Sequence, residues 1–203
     1  MQTEVGIRHY EPSQSAVFFK TRERFGALSN MASGFPLTIG NVQIRSSEAL
    51  YQSLRYPENP EYQKEILAEA SAMTAKMKSK KYYAHSRADW MSVRVPIMRW
   101  CLRVKLVQNY ELFSEALLST GSLAIVEKKV RREDFWGAKL QADGSFVGRN
   151  VLGRLLMELR EEVKAGLLFQ ETVIESPNIS NLILLGCKIG PTTSRSSQQR
   201  RLV

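Results

Sequence analysis

Short stretches dense in β-branched and aromatic residues open the chain, and a longer helical period takes over from residue 47 onward. "AVFFK" (16–20) and "LTIGNVQIR" (37–45) read as short strands, the second folded back on itself at Gly40-Asn41. Ser47 is placed to cap a helix through "EALYQSLRY", which must stop near Pro57. Asn59-Pro60 supplies a cap and an N1 proline for "EYQKEILAEA", and Ser71 opens a third helix that runs into a lysine cluster. Val95, Met98, Leu102 and Leu106 form a stripe at helical spacing across 92–107, with Pro96 in the first turn or at a kink. "YELFSEALLSTG" is a further helix stopped by Gly121, and "SLAIVE" (122–127) is a candidate strand. The clearest helix covers 151–165: Asn150 caps it, Leu152, Leu155, Leu156, Leu159 and Val163 make one face, and Gly166 ends it. The predicted class is α+β, a mainly helical single domain with a few short strands.

Residues 1–16 are expected to be a flexible lead-in to a domain over 17–168. The stretch 169–203 is expected to be a C-terminal extension, partly disordered or peripheral, because its end "KIGPTTSRSSQQRRLV" is polar, basic and aperiodic. A chain of 203 residues can bury its own core without metals or disulfides. Cys101 and Cys187 stand 86 positions apart and imply no disulfide framework. The N-terminus lacks the apolar core of a signal peptide and no run approaches membrane-spanning length, so the expected setting is cytoplasmic, with no membrane partner.

The net charge of +9 matters chiefly for where it falls. Residues 71–110 hold nine Lys/Arg against Asp89 alone, interleaved with Tyr82, Tyr83, Trp90 and Trp100. Such an excess suits a nucleic acid, a pyrophosphate or a phosphorylated metabolite; a solvated helical face is the plainer reading.

The motifs of nucleotide-binding P-loops, dinucleotide folds, zinc proteases and serine hydrolases are missing, and His9 and His85 are too few to build a metal site. The expectation is an enzyme without metal or cofactor, whose acid–base work falls to carboxylates and perhaps one lysine, as in glycoside chemistry. Glu48, one residue past Ser47, either offsets the positive end of its helix or acts at the mouth of a pocket. Asp134 in "REDFWGAKL" orients a ribose hydroxyl or activates water, or else pairs with Arg131 or Arg132. Trp90 and Trp136 are core residues or stacking surfaces. "GSFVGRN" (144–150) is a glycine-punctuated loop entering a helix, whose amides can receive a phosphate with Arg149 as charge partner.

Taken in order, these pieces resemble the NADAR family, named for its association with NAD and ADP-ribose metabolism, from about Phe18 to Val163. "RFGALSNM" is similar to the family's aromatic-x-x-(Leu/Phe)-Ser-Asn-aromatic segment, with Met31 for the last aromatic. "SSEALYQSLRYP" resembles Ser-Glu-His-(Tyr/Phe)-Gln-Ala-Lys-Phe, with Ala49 for the His and Arg55 for the Lys. "AKMKSKK" matches an Ala-Lys-x-x-Gly-Arg segment at Ala75 and Lys76, with Ser79 and Lys80 departing from it. "LAIVEKKVRREDFWGAKL" and "GRNVLGRLLMELRE" resemble Leu-Val-Glu, Asp-aromatic-Trp-Gly and Gly-x-Asn-x-Leu-Gly-x-Leu-Leu-Met-x-Leu-Arg. Ala138-Lys139 stands where relatives often have Asp-Gly.

The resemblance implies hydrolysis of N-glycosidic bonds in ribosylated substrates. Glu48, Asp134 and Lys76 are the implied catalytic positions, and Trp90, Trp136, Asn30, Tyr51, Gln52, Arg149 and Asn150 the implied substrate-binding ones. In this reading Glu48 gives a proton or activates water, Asp134 holds the ribose, and a Trp stacks on the base. Lys76 offers a second route, through an imine at C1. The first expectation for substrate is ADP-ribose on guanine in nucleic acid, with a DNA-modifying toxin as the matching partner. The alternative is a phosphorylated ribosyl intermediate of riboflavin biosynthesis, and a third reading is an inactive ADP-ribose or nucleic-acid binding module.

Overall fold

A computed structural model describes residues 6–130 and 135–194. In chain order the elements are β1 (Arg8–Tyr10), β2 (Ser15–Phe18), β3 (Leu37–Ile39), β4 (Val42–Ile44), α1 (Ser47–Ser53), α2 (Pro60–Ala68), α3 (Ala72–Lys80), α4 (Trp90–Gln108), α5 (Tyr110–Leu118), β5 (Ala124–Lys129), β6 (Ala138–Leu140), β7 (Phe146–Gly148), α6 (Val151–Lys164), β8 (Ile183–Leu184) and β9 (Cys187–Lys188). The class is α+β and mainly helical, as the sequence predicts. The chain divides into two compact units, Met1–Ser29 with Leu112–Leu167, and Asn30–Glu111 with Leu168–Val203.

The first unit is built on a five-stranded sheet of order β1-β7-β6-β5-β2. β2 and β6 run parallel to β5, whereas β7 is antiparallel to both β6 and β1. α6 packs along β5 and buries Leu152, Leu155, Leu156, Leu159 and Val163, the stripe its period predicts. Tyr10, Val126, Ala138 and Phe146 form a core cluster on the sheet. The flexible lead-in expected over 1–16 is therefore corrected for its described part: Arg8–Tyr10 pairs with Phe146–Gly148 and buries Tyr10. Three residues with one apolar side chain are too short to show a strand period.

The second unit begins with the β3–β4 hairpin, turned at Gly40 with φ +56° as a Gly-Asn turn requires. α1, α2 and α3 pack against one another, and α1 also rests on α4. α3 begins with a full capping box between Ser71 and Thr74, and α2 begins at Pro60. α4 starts two residues before the predicted range and runs through Pro96.

The C-terminal stretch also differs from expectation. Residues 183–188 form the β8–β9 hairpin, Ile174 bridges Thr192, and Leu182, Leu184 and Ile189 are buried. Side chains from earlier helices stitch this stretch down through its backbone. Gln63 Nε2 donates to the Ile183 carbonyl at 2.8 Å and its Oε1 accepts from Leu185 N at 2.6 Å. Arg87 donates to the Ser180 carbonyl at 2.6 Å, and Gln108 Nε2 to that of Thr193 at 3.1 Å. Such bonds leave no trace in the periodicity of the tail, whose residues 195–203 lie outside the described ones.

Candidate functional site

α1 gathers polar groups onto one face because Glu48, Tyr51 and Gln52 stand at i, i+3 and i+4. Its N-cap is Ser46 rather than the expected Ser47: Ser46 has extended backbone and its Oγ accepts from Ala49 N at 3.2 Å. Ser47 is the first helical residue, and its hydroxyl donates to the carbonyl and side-chain oxygens of Asn30, each at 3.3 Å. The Asn30 carbonyl also accepts from Glu48 N at 3.2 Å, while its Nδ2 meets the Met98 sulfur at 2.7 Å. Buried Asn30 thus fixes the first turn of α1 and, with it, the origin of the Glu48 side chain.

Glu48 is only 6% exposed and has no ion-pair partner among the described residues. Among the described residues its one side-chain hydrogen bond comes from Gln52 Nε2 to Oε1, at 2.9 Å. Gln52 is held in turn by Ser79 Oγ, which donates to its Oε1 at 2.7 Å, and the Tyr56 hydroxyl donates to the Ser79 carbonyl at 2.6 Å. The orientation of Glu48 is therefore set by a chain of buried polar groups reaching from α1 to α3. Lys76 lies on α3 one turn before Ser79, on the same helical face and half-buried, with no hydrogen bond or ion pair among the described residues.

Two aromatic rings stand on the same face as the carboxylate. Trp90, 5% exposed, is the first residue of α4, and its ring centroid lies 5.1 Å from that of Tyr51 at 48°. Burial pushes the Tyr51 phenol well above its usual range, and the Glu48 charge adds to the rise. Burial, again reinforced by Glu48, raises the Cys101 thiol as well. The arrangement is a directed carboxylate beside flat rings, which suits proton transfer to or from a group resting on that face.

Trp136, Arg149 and Asn150 belong to the first unit, and Asp134 lies outside the described residues. Asn150 stands at the N-cap of α6 in the left-handed region (φ 47°) and makes no side-chain cap. Fully buried, it accepts from Glu127 N at 3.1 Å and donates to the Ile125 carbonyl at 2.8 Å, clamping α6 to β5. A Cβ on Gly153 would collide with the Ile125 carbonyl and the Asn150 amide, one on Gly148 with the Gly137 carbonyl, and one on Gly137 with the Glu127 carbonyl. The glycines of "WG" and "GRNVLG" thus allow the backbones to close around Asn150.

The expected phosphate cradle at this helix start is not available. Asn150, Val151 and Leu152 give their amides to the carbonyls of Gly137, Phe135 and Trp136 at 3.1, 2.9 and 3.0 Å. Those donors are consumed in holding the loop that carries Trp136, whose half-buried ring meets Phe135 edge-on at 5.0 Å. Arg149 is exposed and has no hydrogen bond or ion pair among the described residues.

The basic run of 71–110 is also less open than its composition suggests. Lys105 is fully buried, with Nζ 4.3 Å from the Phe35 ring centroid, and burial holds its ammonium well below the usual lysine range. Lys78 pairs with Glu65 and Glu69 and Arg87 with Asp89, leaving Lys80 and Lys81 as its exposed lysines. Sequence reasoning missed Ser79 and Tyr56 as supports of Gln52; Ser79 was visible only as a departure from a family glycine. Among the described residues no group of three His, Cys, Asp or Glu is close enough to hold a metal ion, and no helix is long and apolar enough to cross a membrane.

Known proteins resemble this chain across most of that framework. A riboflavin biosynthesis protein of Vibrio vulnificus is 33% identical over 160 residues, which are 78% of this chain and 41% of that protein. The chain therefore spans well under half of that relative's length. The N-glycosidase YbiA of Escherichia coli is 31% identical over 157 residues, covering 77% of this chain and 93% of its own. The NMR structure of the Escherichia coli protein YbiA superposes with a TM-score of 0.63 at 30% identity, over 76% of this chain and 87% of that one. The sequence pattern of the NADAR domain matches residues 17–164, and the chain belongs to the NADAR family.

Proposed function

We propose that this chain is an N-glycosidase that hydrolyses the C1–N bond of a phosphorylated ribosyl intermediate of riboflavin biosynthesis, with Glu48 as its acid–base group. The observation that carries the reading is Glu48 itself: buried, aimed by Gln52, free of any ion pair among the described residues and set beside Tyr51 and Trp90. The names of the relatives, an N-glycosidase and a riboflavin biosynthesis protein, support the substrate class.

Breaking the bond sends its electron pair to the departing nitrogen, which must gain a proton, and leaves positive charge on C1. Glu48 meets that demand by donating the proton, or by taking one from the water whose oxygen bonds to C1. Lys76, on the face of α3 that supports Gln52, offers the other route: its amine, once deprotonated, attacks C1 as the base nitrogen leaves with the bonding pair and a proton, the C1–O4 bond then opens to give an imine, and water cleaves the imine to free the sugar and regenerate the amine. Trapping with borohydride separates the routes, since only an imine leaves a covalent adduct on Lys76.

The second reading, release of ADP-ribose from guanine in nucleic acid, is favoured by the exposed Lys80 and Lys81 beside the exposed ring of Tyr83. Its support is thinner than the charge of the segment suggests, given the burial of Lys105 and the pairing of Lys78 and Arg87. The deciding experiment offers purified protein a 5-phosphoribosylamino pyrimidine and, separately, an oligonucleotide carrying ADP-ribose on guanine, with products followed by mass spectrometry. Release of ribose 5-phosphate from the first supports the leading reading. Release of ADP-ribose from the second alone replaces it, and turnover of neither, with binding retained, makes the chain a binding module.

A further inference from the structure

The turn that ends α1 carries a charged group that the proposed chemistry leaves unused. Arg55 follows Gln52 by three positions and Tyr51 by four, so it continues the face that holds Glu48. Its guanidinium carbon lies 4.1 Å from the ring centroid of Tyr83 and 4.5 Å from that of Trp90. Both distances are within cation–π reach, so two aromatic rings hold the cation. Among the described residues the Arg55 side chain has no ion pair, its Nε is buried without a partner, and the guanidinium stands within hydrogen-bonding reach of the Tyr56 hydroxyl alone. The carboxylate of that face, Glu48, takes its hydrogen bond from Gln52 and forms no ion pair with Arg55, while Arg94 brings a second positive charge to bear on Tyr51.

Arginines in comparable half-buried places are normally matched by a carboxylate, because taking a guanidinium out of water without a counter-charge is costly. Stacked rings satisfy its faces but none of its N–H groups, which all lie in the guanidinium plane. An anion with several oxygens can take two of those donors at once, and a phosphate monoester has the charge and spacing to do so. Stacking also spares the entropy of orienting a long side chain when the anion arrives.

We propose that Arg55 is a phosphate clamp, gripped between Tyr83 and Trp90 so that it binds the phosphate monoester of a sugar phosphate lying along the Glu48 face of α1. The proposal rests on the reading of that face as the ribosyl site. It makes Arg55 a specificity-determining residue: it selects phosphorylated over unphosphorylated ribosyl substrates, while Glu48 serves the bond that breaks.

The test is calorimetric titration of the full chain with ribose 5-phosphate and with ribose, for wild type and for Arg55→Lys, Arg55→Gln and Tyr83→Leu. Ribose 5-phosphate is expected to bind wild type at least tenfold more tightly than ribose does. Arg55→Gln should abolish that preference and Arg55→Lys should lose most of it, since an ammonium keeps the charge but not the fork. Tyr83→Leu removes one partly exposed ring, leaves Arg55 in place and should weaken ribose 5-phosphate several-fold, which keeps the test alive if an Arg55 variant fails to fold. Undiminished affinity for ribose 5-phosphate in folded Arg55→Gln, or full affinity in Arg55→Lys, overturns the clamp. Clamp and reaction fail separately: Arg55-dependent binding without hydrolysis of any ribosyl base removes the glycosidase reading alone. Hydrolysis with binding indifferent to Arg55 removes the clamp alone.

Discussion

Replacing Glu48 by Gln tests whether its burial serves chemistry or packing. The two side chains are nearly isosteric, and the hydrogen bond from Gln52 Nε2 ends on Oε1, an atom a glutamine also has. The second oxygen takes no hydrogen bond from a described residue, so its change to an amide nitrogen breaks no contact among them. We therefore expect stability to change by less than about 1 kcal/mol, which is about 2–4 °C in Tm for a domain of this size. Turnover should respond on another scale. An amide neither gives nor takes a proton near neutral pH, and loss of a general acid or base costs about 10²–10⁴-fold in rate, or about 3–5 kcal/mol of barrier. The assay is steady-state release of ribose 5-phosphate from a 5-phosphoribosylamino pyrimidine, with melting followed on the same preparations. A fall in kcat of at least a hundredfold with Tm held within a few degrees is the expected pair. Retention of turnover within a few-fold refutes the catalytic assignment, and a large drop in Tm accompanying lost activity assigns Glu48 to the fold instead.

Three further outcomes follow from the packing. Asn150→Asp keeps the bond from Glu127 N but loses the donor to the Ile125 carbonyl and buries a charge there, so we expect a loss of about 3 kcal/mol or more in chemical denaturation; a change below about 0.5 kcal/mol contradicts the clamp. Gly153→Ala should destabilise although alanine favours a helix by about 1 kcal/mol, because the added methyl meets the Ile125 carbonyl and the Asn150 amide, and overpacking costs about 1–3 kcal/mol; a variant that melts above wild type counts against that contact. For Lys105, burial lowers the folded-state pKa well below the ordinary lysine value of about 10.4, so between the two values the unfolded chain carries a proton that the folded chain has shed. Stability must then rise with pH across that window, by up to about 1.4 kcal/mol per unit, relative to Lys105→Met; parallel alkaline profiles for the two proteins sink the argument.

The helices that can be read from sequence are those whose ends are written in local chemistry. Ser71 with Thr74, Pro60 at N1 of α2, and the apolar stripe of α6 each state a boundary or a face within a few residues. β1, β6 and β7 are three residues long, too short for a period, and owe their existence to partners distant in the chain. Ser46 and Ser47 are chemically equal candidates for a cap, and only backbone angles separate them. Asn150 looked like an ordinary cap, yet its left-handed backbone turns the amide toward β5. At the candidate site, the family resemblance pointed to Glu48 and Gln52 but not to what orients them. Ser79 and Tyr56 enter only because α3 packs on α1, a relation that no local pattern encodes.

One consequence concerns how such a site can drift. Glu48, Tyr51 and Gln52 ride on seven residues of helix fastened at both margins, by the Ser46 cap and Asn30 at the start and by the Arg87 amide on the Arg55 carbonyl (2.9 Å) just past the end. A tilt or slide of α1 would carry the acid, its orienting amide and the neighbouring cation together, disturbing proton transfer and anion recognition in one step. Sequence change can therefore retune this face only one side chain at a time, with the helix itself as the fixed ruler.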